Sequence, residues 1–340
     1  MEKLFKKCTV NYRKLCLIAE NLTFLTTLIN HKKGRNRQMS RIKFTGIMPA
    51  LITPLDKNGH VNKKAVKELM DDNYAAGVKG FYVTGGTGEG PVLSAAQRME
   101  MTDAAIEASA GRGQIIIHTG SINCAESMEL TRYATKAGAD GISSVPPSFY
   151  FKFNLAETVD YYKEMADNTD KPVLVYASQQ SGSAVDVNVM MAELLKIDNI
   201  CGAKDTRANY FAMWALKHIN GGDINVINGP DEMLLCGLSV GADGGIGSTY
   251  SIMPGLFVEM YNKFKAGDIV GAQAVQEKLN KLISVFIRWA DGDIIRSVKA
   301  ALTLNGFEAG KAVAPARDYT PEQYAKLKAE LEAAGYVFRK

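Results

Sequence analysis

The sequence lacks the residue patterns of several enzyme classes. Its 340 residues include five cysteines, an odd number without a CxxC pair, and four histidines that do not cluster. A disulfide framework or a zinc site is therefore not expected, and the cysteine usage fits a reducing cytoplasm. No G-x-G-x-x-G turn is present, which argues against a dinucleotide-binding fold. We expect a mechanism that needs no metal ion and no organic cofactor.

A positive charge balance is confined to the first 38 residues. The whole chain has a formal charge of +4, but residues 1–38 hold nine Lys or Arg against two Glu, so this stretch carries +7 and the remainder −3. The basic balance therefore does not predict nucleic acid as a partner of the main body. The first 38 residues are expected to be a basic extension, either disordered or upstream of a true start at Met39. The alternative is an amphipathic targeting segment.

The sequence also lacks a hydrophobic run long enough to span a bilayer. The longest candidate, at 15–29, is shorter than the roughly 20 residues required and is interrupted by Glu20 and Asn21. No small-residue cleavage site follows it, so a secretory signal is not predicted. We expect a cytoplasmic protein without a membrane partner.

What the sequence does contain is an alternation of short apolar runs and longer amphipathic runs from Phe44 onward. The short runs are rich in Ile and Val and apolar at nearly every position, which is typical of parallel strands buried on both faces. They predict strands at 46–53, 80–84, 114–119, 141–145, 172–176, 200–204, 224–228 and 244–247. The amphipathic runs predict helices at 63–76, 95–110, 125–137, 155–168, 187–195, 209–218, 232–240 and 254–264.

Eight strand–helix repeats predict an α/β fold of the (β/α)₈ TIM-barrel class, with the catalytic domain over residues 39–265. The pattern changes after Lys265. Three helical segments, at 269–287, 294–304 and 321–334, follow without strands between them. They predict a C-terminal helical segment over residues 266–340.

Lys204 is the most informative residue at the carboxyl ends of the predicted strands, where the active sites of such barrels form. It ends the apolar run 200–204 and should lie inside the barrel. A lysine is a nucleophile only when neutral, and apolar surroundings favour the neutral form. The alternatives are a lysine that reaches solvent along its apolar stem or one that pairs with Asp205. Because Tyr150 and a glycine loop are predicted at the same end, we expect Lys204 to be catalytic.

The glycine loop occupies residues 85–90, after the second strand. Its backbone N–H groups can approach an anion, here a carboxylate rather than a phosphate, and Thr87 adds a hydroxyl. Glu89 is expected to brace the loop. Tyr150, after strand 4, is either a packed aromatic or an acid–base that exchanges its proton through Thr87.

Two acids follow the seventh strand. Asp231 and Glu232 are either the anionic first turn of a helix or, with the carbonyl of Gly229, a set of groups suited to the hydroxyls of a polyol. The sequence by itself leaves both interpretations open.

Together these motifs resemble the N-acetylneuraminate lyase and dihydrodipicolinate synthase family of class I aldolases. The resemblance covers residues 44–334 and rests on a G-x-x-G-E loop at 85–89, a tyrosine after strand 4 and a G-x-K-x-T segment at 202–206. It implies that Lys204 forms a Schiff base with a 2-keto acid and that Tyr150 transfers a proton. Gly86 and Thr87 would bind the keto-acid carboxylate. It further implies a small-molecule substrate and a homotetramer.

Within this family, the sequence is most similar to the sialic acid lyases. These carry G-x-D-E after strand 7 and A-D-G-G-I-G-S-T after strand 8, as this chain does at 229–232 and 242–249. The resemblance implies that cleavage of N-acetylneuraminate to N-acetylmannosamine and pyruvate is the reaction. The sugar hydroxyls would then be held by residues after strands 7 and 8, with one further residue beside the lysine: Gly229, Asp231, Glu232, Ser248 and Thr206.

Alternative reactions remain within the same family. Dihydrodipicolinate synthases place an arginine two residues before a glycine after strand 5, where this chain has Gln180 and Gly182, which argues against that reaction. The lyases usually carry serine at the position of Gly86, and the segment 178–180 also departs from the family pattern. A 2-keto-3-deoxy sugar acid aldolase and 4-hydroxy-tetrahydrodipicolinate synthase are therefore the nearest alternatives. A non-catalytic barrel that binds keto acids or sugars is the alternative from a different class.

Overall fold

Eight short strands form the centre of the molecule. The structure is a computed structural model that describes residues 44–146, 151–178, 185–291 and 293–339. The strands are Gly46–Pro49 (β1), Gly80–Val83 (β2), Gln114–His118 (β3), Gly141–Ser144 (β4), Val173–Ala177 (β5), Ile200–Asp205 (β6), Asn225–Asn228 (β7) and Gly244–Gly247 (β8). All eight predicted strands are confirmed, with boundaries within a few residues.

The strands pair in parallel and close into a barrel. Their order is β1-β8-β7-β6-β5-β4-β3-β2, and the ring is completed by a parallel bridge between Ala50 and Tyr82. The N–H of Leu51 donates to the carbonyl of Tyr82 at 2.9 Å at this seam. β1 ends at Pro49, before the predicted residue 53, and Ala50 still donates to the carbonyl of Gly247 on β8 at 3.0 Å. The predicted (β/α)₈ TIM barrel is confirmed.

Helices follow the strands around the outside of the barrel. They are Lys63–Ala75 (α1), Ala95–Ser109 (α2), Cys124–Ala137 (α3), Leu155–Asp167 (α4), Val187–Leu194 (α5), Tyr210–Lys217 (α6), Leu234–Ser239 (α7) and Pro254–Lys265 (α8). Three more helices come after the last strand–helix unit: Ile269–Ala290 (α9), Ile294–Leu304 (α10) and Pro321–Ala333 (α11). No helix in these ranges is both long enough and apolar enough to cross a membrane.

Local sequence explains where the helices begin and end. Ser94 and Gln97 form a reciprocal capping box at the start of α2, and Asn123 accepts two N–H groups at the start of α3. Gly138 ends α3 at φ 101°, a conformation that favours glycine. The helix predicted at 232–240 is shorter than expected. Its first residues form a separate 3₁₀ turn, Asp231–Met233.

The interior of the barrel is packed with side chains from alternating strand positions. Its buried cluster contains Met48, Tyr82, Ile116, Leu174 and Ile227, among others. Because side chains alternate between the two faces of a strand, the residue two places after each of these also faces the interior, nearer the carboxyl end. That rule places the functional side chains directly above a packed apolar floor.

Candidate active site

Lys204 lies at the carboxyl end of the barrel interior. Its registered neighbours are Tyr176 on β5 and Ile227 on β7, and residues in register on neighbouring strands face the same side. The lysine is only 5% exposed. Its Nζ lies 4.1 Å from the ring centroid of Tyr176 and 4.7 Å from that of Tyr82. The alternative of a lysine extending into solvent is therefore wrong.

The alternative of a pair with Asp205 is also wrong. The Asp205 carboxylate is fully buried and binds the guanidinium of Arg207. Over the ranges that the structure describes, no carboxylate lies within ion-pair distance of the Lys204 amine. The amine therefore faces the barrel mouth without a counter-ion from its own strand.

Tyr176 is the site residue that the sequence analysis missed. Its ring is half-buried and stands perpendicular to the rings of both Tyr82 and His118, at centroid distances of 6.2 Å. From the sequence alone, Tyr176 was only the last residue of the predicted strand 172–176 and had no assigned role. The available signal was its position, because Tyr176 ends a buried strand that neighbours the strand of Lys204.

Several predicted positions lie outside the described residues. These are Tyr150, Gln180 and Gly182. Their predicted roles stay predictions.

The glycine loop after β2 faces the same end of the barrel. Thr87 is buried, and its hydroxyl lies 2.8 Å from the hydroxyl of Ser248 in the loop after β8. Gly86 is exposed, and a Cβ added there would meet no atom within 4 Å. Among the described residues, the amides of Gly86 and Thr87 have no hydrogen-bond acceptor. These two N–H groups and one hydroxyl can therefore bind an anion.

Glu89 braces this loop, as expected. Its carboxylate forms a buried ion pair with Lys299 of α10 and accepts the N–H of Val313 at 2.6 Å. The ammonium of Lys299 also donates to the carbonyls of Thr53 and Lys311, each at 2.9 Å. Burial lowers the pKa of Lys299, whereas the neighbouring Glu89 raises it. The loop is thus held in place by α10 and by the segment that follows it.

Asp231 supports the loop after β8. One carboxylate oxygen accepts the N–H of Ser248 at 3.2 Å, and the other accepts the N–H and the hydroxyl of Thr249 at 2.7 and 2.6 Å. Asp231, which would begin the predicted helix, is therefore hydrogen-bonded to the loop after β8, and it lies in the separate 3₁₀ turn. Burial raises the pKa of Asp231 to about 6, although the hydrogen bonds from Thr249 lower it. Glu232, by contrast, is exposed.

Thr206 and Gly229 contact each other beside the lysine. The hydroxyl of Thr206 donates to the carbonyl of Ala177 at 3.0 Å, and the N–H of Gly229 donates to the carbonyl of Asp205 at 2.8 Å. A Cβ on Gly229 would lie 1.9 Å from the Thr206 methyl carbon. Only glycine fits this close approach, so the structure brings these two predicted residues together.

His118, at the end of β3, is a second residue that the sequence analysis did not single out. It is buried, its Nε2 accepts the N–H of Val145 at 3.2 Å, and burial lowers its pKa well below the usual value, with Arg98 and Lys204 contributing. It is therefore neutral near pH 7. It also lines a cavity of about 430 Å³ together with Arg98 and Glu126. In the described part of the chain, no three His, Cys, Asp or Glu side chains are grouped as metal ligands.

The fold and the comparisons with known proteins define a (β/α)₈-barrel lyase. The Dihydrodipicolinate synthetase family matches residues 43–334, and the chain belongs to this family. The resemblance inferred from the sequence motifs is thereby confirmed.

Individual relatives agree with this assignment. N-acetylneuraminate lyase from Rhizobium meliloti is 33% identical over 287 residues, which cover 84% of this chain and 94% of that protein. The structure of Proteus mirabilis N-acetylneuraminate lyase is similar with a TM-score of 0.82 and 30% identity, covering 87% of this chain and all of that one. The E. coli protein YagE, solved in complex with pyruvate, has a TM-score of 0.80 and 28% identity, covering 86% and 98%.

Proposed function

We propose that this protein is a Schiff-base aldolase that cleaves N-acetylneuraminate to N-acetylmannosamine and pyruvate. The observation that carries the proposal is the position of Lys204, buried at the barrel mouth beside a tyrosine and without a carboxylate partner among the described residues. A buried lysine without a counter-ion has the surroundings that an amine nucleophile requires. The names of the relatives support the choice of sugar.

The proposed reaction begins at the C2 ketone of the open-chain sugar. The neutral amine of Lys204 attacks C2, water leaves, and the resulting iminium withdraws electrons from the C3–C4 bond. Removal of the C4 hydroxyl proton then breaks that bond and releases N-acetylmannosamine. The enamine takes a proton at C3, and hydrolysis releases pyruvate and restores the lysine. Covalent catalysis of this kind divides one difficult step into several easier ones.

We propose two candidates for the proton transfer: Tyr150, to which the family resemblance gives this role, and Tyr176. Tyr176 is in register with Lys204, and its ring centroid lies 4.1 Å from the amine. A general base must lie within hydrogen-bond reach of the proton that it removes. Tyr150 keeps the role that the family resemblance implies until both tyrosines are tested.

The keto-acid carboxylate would be bound by the loop after β2. The amides of Gly86 and Thr87 would donate two hydrogen bonds to it, and the Thr87 hydroxyl would donate a third while it accepts one from Ser248. The hydrogen bond between Thr87 and Ser248 fixes the orientation of that hydroxyl. We propose that Ser248 positions the Thr87 hydroxyl for the substrate carboxylate and also binds the sugar.

The sugar end would lie on the side of β7. Glu232 is exposed and would accept hydrogen bonds from sugar hydroxyls, as would the carbonyl of Gly229, three positions earlier in the chain. The Asp231 carboxylate is already occupied by Ser248 and Thr249, so we assign it to positioning of the β8 loop as well as to the sugar. Thr206, which contacts Gly229, completes the wall beside Lys204.

Reductive trapping tests the Schiff base. Incubation with pyruvate and borohydride should inactivate the protein irreversibly and add the mass of a reduced pyruvate adduct to the peptide that contains Lys204. Lys204→Ala should form no adduct, whereas Lys196→Ala, which removes an exposed lysine, should be trapped as the unmodified protein is. An adduct that persists in Lys204→Ala would contradict the proposal.

A substrate panel tests the specificity. Steady-state cleavage of N-acetylneuraminate should exceed that of 2-keto-3-deoxygluconate, and condensation of pyruvate with aspartate semialdehyde should be negligible. The glycine at position 86 is the observation that favours a different aldehyde, because the lyases usually carry serine there. A non-catalytic binding barrel would instead show stabilisation by ligands without turnover or trapping.

Assembly and location are further proposals from family resemblance. We propose a cytoplasmic homotetramer that acts on a small molecule. Light scattering coupled to size-exclusion chromatography should give four times the 37.0 kDa of one chain, and a mass of one or two chains would contradict the tetramer.

A further inference from the structure

The Lys204 amine is placed in a corner between two aromatic rings. Its Nζ lies 4.1 Å from the Tyr176 centroid and 4.7 Å from the Tyr82 centroid, and the two rings are nearly perpendicular, at 87°. A cation within about 6 Å of a ring centroid and over its face is attracted by the negative potential of that face. The rings are therefore suited to hold positive charge at this nitrogen.

The acidic side chains near Lys204 bind other groups. Asp205 binds Arg207, and the Asp231 carboxylate accepts hydrogen bonds from Ser248 and Thr249. Within the described ranges, no carboxylate forms an ion pair with the lysine. A positive charge that forms at Nζ during the reaction thus lies against the two ring faces, with Asp231 acting on it from beyond ion-pair distance.

Tyr82 is held so that only its ring can act on the amine. Its hydroxyl donates to the hydroxyl of Ser143 at 3.0 Å, and Ser143 donates to the carbonyl of Leu174 at 2.7 Å. A Cβ on Gly85 would lie 2.4 Å from the Tyr82 ring, so the glycine permits the loop to pack closely against it. The hydroxyl is therefore occupied by Ser143, and the fixed ring face is what Lys204 meets.

We infer that Tyr82 is a further functional residue of this site, whose ring face stabilises the cationic nitrogen of the iminium formed between Lys204 and a 2-keto acid. The inference rests on the proposed function. In that step the Nζ lone pair forms the bond to C2, and the carbonyl oxygen leaves as water with one amine proton and one added proton. The product carries one positive charge shared by nitrogen and C2. The ring face stabilises that charge more strongly where water is excluded.

The alternative is that Tyr82 only fills the barrel interior. It belongs to the interior apolar cluster and is almost completely buried, so large substitutions would damage packing whatever its role. A test must therefore change the charge distribution of the ring while leaving its size nearly unchanged. Fluorination of a phenyl ring does this, because each fluorine withdraws negative potential from the face.

The experiment replaces Tyr82 by Phe and then by mono-, di- and trifluorophenylalanine. Every member of this series lacks the hydrogen bond to Ser143, so that loss is constant across it. The measured quantity is the pyruvate concentration that gives half-maximal adduct on borohydride trapping, read by intact mass. We expect Tyr82→Phe to lie within about threefold of the unmodified protein, and the trifluoro variant to need about tenfold more pyruvate than Tyr82→Phe. The intermediate variants should fall on a line between them.

Phe81 supplies the matched control. It is the preceding residue on the same strand, it is fully buried, and it packs edge-to-face against Tyr74 at 5.1 Å on the opposite side of the sheet. The same fluorinated residues at 81 should leave the trapping midpoint unchanged. Thermal unfolding of each variant reports whether packing has changed.

The outcomes separate the inference from the function on which it rests. A flat series at 82, or parallel losses at 81 and 82 that follow thermal stability, would overturn the role of the ring face while pyruvate still traps the unmodified protein. Absence of any adduct in the unmodified protein would overturn the Schiff-base proposal, and the inference with it. A graded loss at 82 with no change at 81 supports both.

Discussion

Arg207 binds the carboxylate of Asp205 through Nε at 2.9 Å and through Nη2 at 2.7 Å. The same carboxylate accepts the backbone N–H of Arg207 at 2.9 Å, and Asp205 is completely buried. Asp205 directly follows Lys204 in the chain, yet its charge is neutralised by a residue two positions further on. Asp205 therefore has its own cationic partner, and its side chain lies on the opposite face of β6 from that of Lys204.

Removal of Arg207 should therefore affect both stability and chemistry. Arg207→Met leaves a buried carboxylate without its guanidinium, and we expect the free energy of unfolding to fall by about 3 kcal/mol. The unpaired carboxylate should also disturb the end of β6, on which Lys204 stands, and slow reductive trapping by pyruvate. Urea unfolding and the trapping rate measure the two effects. Adding Asp205→Asn should restore most of the free energy of unfolding and of the trapping rate. A double variant that is as impaired as Arg207→Met would contradict this explanation.

A serine at position 86 should strengthen keto-acid binding. The site of its side chain is empty to 4 Å, so Gly86→Ser should change stability by less than about 0.5 kcal/mol. A hydroxyl there adds a donor to the proposed carboxylate site, and we expect the KM for pyruvate in the synthetic direction to fall about tenfold. Gly90→Ser is the control, because its Cβ would lie 1.9 Å from the carbonyl oxygen of Thr84 and should destabilise the loop. An unchanged KM in Gly86→Ser would argue against carboxylate binding by this loop.

Titration of Asp231 should make both activity and stability depend on pH. Burial raises its pKa to about 6, so the folded protein holds this proton more tightly than the unfolded chain does. Its contribution to stability is therefore fully present below about pH 4 and is lost as the pH rises to about 6, by up to about 3 kcal/mol. Denaturant unfolding at pH 4, 5 and 6 measures this change, which should be absent in Asp231→Asn.

The activity should change in the opposite direction over the same range. Only the ionised carboxylate can accept hydrogen bonds from Ser248 and Thr249 with both oxygens. We expect kcat/KM for N-acetylneuraminate to decline as the pH falls below about 6. Asp231→Asn should show a low value without this inflection. If the inflection persists in that variant, another group titrates.

Substitution of the two candidate tyrosines should distinguish their roles. Tyr176→Phe keeps the ring beside Lys204 but removes the hydroxyl, and we expect kcat to fall about 10²- to 10⁴-fold while the pyruvate adduct still forms. Tyr150→Phe is the matched comparison. A larger loss of kcat in Tyr150→Phe would return the proton-transfer role to that residue, as the sequence motifs predict.

The sequence predicted the barrel well because strand and helix patterns are local. The apolar runs and the amphipathic runs each depend on a few neighbouring residues, and Lys204 was identifiable from its place at the end of one apolar run. The contact between Thr87 and Ser248 joins residues 161 positions apart, and no local pattern predicts it. Asp231 was interpreted as a helix start or a sugar ligand, because its bonds to the β8 loop depend on barrel closure. Tyr176 was missed because its proximity to Lys204 arises from the register of β5 and β6.

The ion pair of Glu89 with Lys299 has a consequence for how such barrels can be rearranged. The proposed carboxylate loop is supported by two groups, the Lys299 ammonium and the Val313 amide, that come from beyond the eight strand–helix units. A chain cut after Lys265 would retain every strand, but the buried carboxylate of Glu89 would lose both of these partners. The smallest portion that can be exchanged between related barrels is therefore the loop after β2 together with the C-terminal helical segment. Chimaeras that swap only the β2 unit should fold poorly unless the matching tail accompanies it.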